Sequence, residues 1–153
     1  MRPTEEPIGL YVTRSAKSLS RAFDAALAEQ GGSLPTWLVL ASLAGGLRGS
    51  QRSIAAAVGI EGPTLTHHLG RMESDGLVVR TRDPENRRTH QVELTEAGRA
   101  HFGALLEVVQ SFDRRLRRGF TADELEALRG LLGRLAANAA TTSTDDTQKE
   151  EHS

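Results

Sequence analysis

The residue types best suited to chemistry in this chain fall between Gly59 and Thr95. Pro63, Thr64, Thr66, His67, His68 and Arg71 follow closely enough to share one helix entered through Pro63 and closed by Gly76. On a wheel of about 100° per residue, Leu65, Leu69 and Met72 form one apolar stripe. Pro63, His67, Gly70, Arg71 and Ser74 lie opposite, with Thr64, Thr66 and His68 on the flanks. Short hydroxyls near the start of a helix and a cation further along can meet phosphates and base edges in a major groove. Read without that function, the same pattern is an amphipathic surface helix with its polar side in water.

A second group follows at once. Arg80, Arg82, Arg87 and Arg88 surround the turn Asp83-Pro84-Glu85-Asn86, which separates strand-like segments at 78–82 and 89–94. Proline presets one turn dihedral, and Asp and Asn tolerate unusual ones. An exposed hairpin with guanidinium groups near its tip can enter a minor groove, where narrow A·T-rich segments concentrate negative potential. The alternative is solvated pairing of these arginines with Asp83, Glu85 and Glu93.

Other chemistries find little footing. Cysteine is absent, which removes disulfides, thiolate-bound zinc and thiol redox switching. No nucleophile with a placed base, phosphate loop or paired-carboxylate site stands out, so the reading is not an enzyme and needs no cofactor. His67 and His68 are adjacent and diverge by about 100° on a helix, so they do not converge on one metal. His90 and His101 are scattered, and no metal site is expected. The cluster Arg114, Arg115, Arg117 and Arg118 precedes Gly119, where cations complement a helix C-terminus.

These groups need elements to hold them. At 153 residues the chain suits one domain, assigned to 5–140, with a polar tail at 141–153 that is expected to be disordered. The formal net charge is -1, but the tail places Lys149 against Asp145, Asp146, Glu150 and Glu151. Residues 1–140 thus hold 18 of the 19 basic groups and 16 of the 20 acidic ones. A near-neutral body can still bind DNA if its arginines gather on one face. The first residues lack the basic-then-apolar layout of a signal peptide, and Trp37 to Leu47 is too short to span a bilayer. The expectation is a soluble cytoplasmic protein without a membrane partner.

Ile8, Val12, Ser15, Leu19, Phe23 and Ala26 predict a first helix over 5–30. A second begins near Leu34–Pro35 and is apolar almost all round. A third, near 51–58, has Ser50 as its cap, and Gly59 closes it before the Pro63 helix. Helix, short glycine-containing turn and helix make a helix-turn-helix, and the hairpin after it makes a wing. Thr95 caps a long helix to about residue 118, and Thr121 with Glu124 forms a capping box for a last one near 121–140. The fold class is mainly α with a small β-hairpin wing. The DNA-binding part spans about 34–95, between long helices at about 5–30, 95–118 and 121–140. Their broad apolar faces have little else to cover them, which favours a two-fold dimer over a monomer.

The chain resembles the multiple-antibiotic-resistance (MarR) family of regulators over roughly residues 5–140. The resemblance is carried by Leu65-Thr66 through Leu77-Val78-Val79-Arg80, then Asp83 to Arg88, then Val92-Glu93-Leu94-Thr95-Glu96-Ala97-Gly98. It implies a homodimeric, ligand-responsive repressor on double-stranded DNA with a pseudo-palindromic site. In that family the wing reads Asp-any-Arg; Arg88 matches the Arg, while Asn86 stands where the Asp would be. His67 stands where the family often has Arg. The resemblance also implies a small aromatic or phenolic effector near the junction of the winged part and the dimer helices, which makes Tyr11, Arg14 and Trp37 candidate pocket walls. A winged protein-interaction module without DNA, or a zinc-responsive regulator, are the competing readings.

Overall fold

The computed structural model describes residues 6–47, 50–82 and 90–141. The expected tail beyond Thr141 and the expected wing tip at 83–89 lie outside the described residues. The element order is α1 (Ile8–Ala28), α2 (Leu34–Ala44), α3 (Gln51–Val58), α4 (Gly62–Ser74), β1 (Val78–Arg82), β2 (His90–Leu94), α5 (Glu96–Leu116) and α6 (Ala122–Thr141). The chain divides into two compact units after Phe112, within α5.

Local chemistry explains where the helices start. The first N–H groups of a helix lack intrahelical partners, and side-chain oxygens replace them. Ser33 Oγ accepts from Thr36 N at the head of α2, where Pro35 occupies the first turn. Ser50 Oγ accepts from Ser53 N at the head of α3. Thr95 Oγ1 accepts from Gly98 N at 2.9 Å to start α5.

The first unit is built on an apolar core. Leu27, Val39, Leu40, Ile54, Leu65, Leu69, Met72, Val78, Val92 and Leu105 are buried together, so α1, α2, α3, α4, both strands and α5 all contribute. Phe23 meets Phe112 at 5.0 Å between ring centroids, and Trp37 stacks on Phe102 at 5.4 Å. Only the C-terminal end of α1 joins this core. Ile8, Leu10, Tyr11 and Leu19 are exposed, so much of the apolar stripe read from the sequence is uncovered within the chain.

In the second unit, Thr121 N donates to Glu124 Oε2 at 2.7 Å and Glu124 N donates to Thr121 Oγ1 at 3.2 Å, the reciprocal capping box. The α6 leucines Leu128, Leu131, Leu132 and Leu135 are 38–54% exposed.

The two strands pair antiparallel, with Val78 opposite Leu94 and Arg82 opposite His90. The base of this hairpin is clamped. Thr95 N donates to Leu77 O at 3.1 Å, and Thr95 Oγ1 donates to Gly76 O at 2.6 Å. Gly98, one turn into α5, lies against the same corner; a Cβ there would stand 2.0 Å from Leu77 O. A backbone oxygen cannot yield as a flexible side chain can. Gly98→Ala is therefore expected to destabilise the protein by about 1–3 kcal/mol, the usual range for overpacking. Urea unfolding of the full chain measures it, and an unchanged midpoint would contradict the clamp.

Candidate nucleic-acid interface

The candidate surface begins with the turn between α3 and α4. Gly59 ends α3 in the left-handed region at φ 69°, and its N–H donates to Ala55 O. A side chain with a Cβ is strained in that conformation, which is why a glycine lets the chain turn here and restart within three residues. Pro63 falls in the first turn of α4, where its missing N–H costs no hydrogen bond.

α4 then sorts its side chains as its spacing demands. Leu65, Leu69 and Met72 are buried, anchoring the helix to the core. Pro63, Thr64, Thr66, His67 and Arg71 are exposed, and His68 is half-buried. The His67 and His68 rings stand 6.0 Å apart in an edge-on arrangement. Their separation and divergence suit two separate contacts. Among the described residues no group of three or more His, Asp or Glu is placed to hold a metal ion.

Thr66 is more constrained than its neighbours. Its hydroxyl donates to Gly62 O at 2.9 Å and accepts from the side-chain amide of Gln51, the first residue of α3. Sequence spacing does not single out Gln51. It lies 15 positions from Thr66, and no local pattern announces such a bond.

The hairpin is tied to both helices of the motif. Ser50 makes a β-bridge with Gln91, joining the head of α3 to β2. Arg80 Nε donates to Glu73 Oε2 at 2.9 Å, joining β1 to α4. Among the described residues Arg80 thus pairs with Glu73 on α4, which is not one of the partners Asp83, Glu85 and Glu93 named by the pairing alternative; Asp83 and Glu85 lie outside the described residues. Arg82 is exposed. Asn86, Arg87 and Arg88 lie outside the described residues.

Two clefts adjoin this surface. One, of about 370 Å³, runs between the α1–α2 connection and the far half of α4, lined by Gly32, Ser33, Thr36, His68, Arg71 and Asp75. The other, of about 640 Å³, lies between the end of α2, β2 and the start of α5, lined by Leu43, Leu47, Val92, Glu93, Arg99 and Phe102. The candidate effector residues are not gathered in either cleft. Tyr11 and Arg14 are exposed on α1, where Arg14 pairs with Glu6 at 2.6 Å. Trp37 is half-buried and packs on the core, touching the larger cleft only through its stacking partner Phe102.

The arginines at the end of α5 fit the structural reading. Arg114 and Arg115 occupy the last helical turn, and Arg117 pairs with Asp113 at 2.7 Å. No helix among the described residues is long and apolar enough to cross a membrane.

Comparison with known proteins places this architecture. The family model described as "MarR family" matches residues 33–90, which run from the cap of α2 to the start of β2. The transcriptional repressor CouR, solved with a 23-mer DNA duplex, is 29% identical, with a TM-score of 0.78 over 85% of this chain and 92% of that one. A point mutant of MarR from E. coli, solved with operator DNA, is 25% identical, with a TM-score of 0.76 over 84% and 93%. BpsR from Bordetella bronchiseptica, 20% identical, shares the fold with a TM-score of 0.78 over 89% and 97%. The part of the chain from α2 to the start of β2 thus matches the MarR family model, and the chain as a whole is similar in fold to these regulators.

Proposed function

We propose that the protein is a homodimeric transcriptional repressor that binds a pseudo-palindromic operator and releases it on binding a small effector. The observation that carries the reading is the division of α4: three apolar residues hold it to the core while Thr64, Thr66, His67 and Arg71 face outward. In this reading Thr64, Thr66, His67 and Arg71, with Pro63 and His68 beside them, meet the major groove. Arg82, Asn86, Arg87 and Arg88 belong to the wing and meet the adjacent minor groove. The relatives solved on DNA, CouR with a duplex and MarR with operator DNA, support the partner class. The site of action is the cytoplasm, where the DNA is.

Dimerisation supplies the second recognition helix, about one DNA turn from the first. The exposed leucines of α6 and the exposed apolar residues of α1 favour a partner chain as their cover. The effector is a small aromatic or phenolic compound acting where the winged part meets the dimer helices. Of BpsR it is said that 6-hydroxynicotinic acid regulates its DNA binding. Tyr11, Arg14 and Trp37 are the residues proposed to meet the effector here. Its binding would change the spacing of the two recognition helices, and its differential affinity for the two spacings sets how far DNA binding falls.

Arg71→Ala and Arg88→Ala are each expected to weaken binding to a duplex selected by the wild-type protein by roughly tenfold. A mobility-shift titration at several salt concentrations reads this, and wild-type affinity for both variants would refute the contacts. An affinity independent of salt would instead favour a winged interaction module that has given up DNA.

Sedimentation at micromolar concentration is expected to show a species of twice the 16.5 kDa chain mass. Leu128→Glu with Leu131→Glu should shift it to the monomer; a monomeric wild type would sink the dimer.

A further inference from the structure

Thr66 stands on the outward side of α4, yet its hydroxyl is already occupied inside the protein. A threonine hydroxyl has one proton to donate. Here that proton goes to Gly62 O at 2.9 Å, and the oxygen also accepts from the Gln51 amide. Phosphate oxygens and the major-groove acceptors of guanine and thymine all require a donor. The hydroxyl has none left to offer them. The same two bonds fix the side-chain rotamer and leave the hydroxyl one lone pair, which can only accept from an amino group; toward thymine, which offers an acceptor and a methyl in the major groove, the Thr66 methyl is the group that remains.

We propose that Thr66 reads DNA through hydrocarbon, with its methyl packed on the C5-methyl of a thymine in the major groove. Gln51 acts as the positioning residue that holds it so. Gln51 is well placed for this, because it is fixed at the head of α3 by the Ser50 cap and by the bridge from Ser50 to β2. This inference rests on α4 being the recognition helix. It adds which atom of Thr66 does the reading and which base it favours. Cytosine presents no methyl at that position, so the contact separates the two pyrimidines without a hydrogen bond.

The test uses the full-length protein and a duplex it selects from a random library, with each thymine replaced in turn by uracil. That exchange removes one methyl and leaves the hydrogen-bonding edge intact. One thymine per half-site is expected to show about a fourfold loss of affinity on replacement, the factor for one buried methyl. Thr66→Ser keeps the hydroxyl and both internal bonds, and should erase the penalty. Thr66→Val keeps a methyl, and its own branching at Cβ holds χ1 in the helix without the hydroxyl bonds, so it should retain the penalty. Gln51→Ala should reduce the penalty while the unfolding midpoint stays within a few degrees of wild type. A penalty unchanged in Thr66→Ser, lost in Thr66→Val, or absent from the wild type overturns the proposal while leaving DNA binding standing. Failure to select any duplex overturns the recognition-helix reading and this inference with it.

Discussion

The winged part of the molecule depends on one close approach, that of the first turn of α5 to the corner at Gly76 and Leu77. The Thr95 hydroxyl bonds in both directions there, donating to Gly76 O and accepting from Gly98 N. Gly98 brings the helix backbone to a distance that admits no side chain. Because Val78 pairs with Leu94, the hairpin opens from this closed base, and the position of every strand residue is counted from it. A shift by one residue would exchange buried Val78 and Val92 for their exposed neighbours, so the clamp also protects the core.

The arginines around this frame divide their work. Arg80 is half-buried and turned back onto Glu73, where a single carboxylate oxygen receives two of its nitrogens. Such a pair near the surface contributes little to stability, on the order of 1 kcal/mol or less. Its value is geometric, since it joins β1 of the hairpin to α4. Arg71 and Arg82 stay exposed, leaving their charges available to a phosphate backbone. A chain with formal net charge -1 can therefore present a locally basic surface without being basic as a whole.

Much of this architecture is legible from short-range patterns. Ser50, Thr95 and the Thr121–Glu124 box act on N–H groups three residues away, so their roles can be read from adjacent letters. The burial of Leu65, Leu69 and Met72 follows from helical spacing alone. What cannot be read are the bonds that cross the fold: Gln51 to Thr66, Arg80 to Glu73 and Ser50 to Gln91. Each depends on where two elements meet, which spacing within one element does not determine. The stripe on α1 shows the complementary limit. Spacing tells which side of a helix is apolar, whereas Ile8 and Leu19 show that it does not tell what covers that side.

The stack of Trp37 on Phe102 has a further consequence. It contains the only tryptophan in the chain, and it sits where α2 meets α5 beside the larger cleft. Its emission reports on a single place, free of the averaging that several indoles impose. Any event that parts α2 from α5, or brings water or an aromatic compound to Phe102, changes the colour or brightness of the unlabelled protein. The molecule carries its own optical gauge at the seam where α2 and α5 meet.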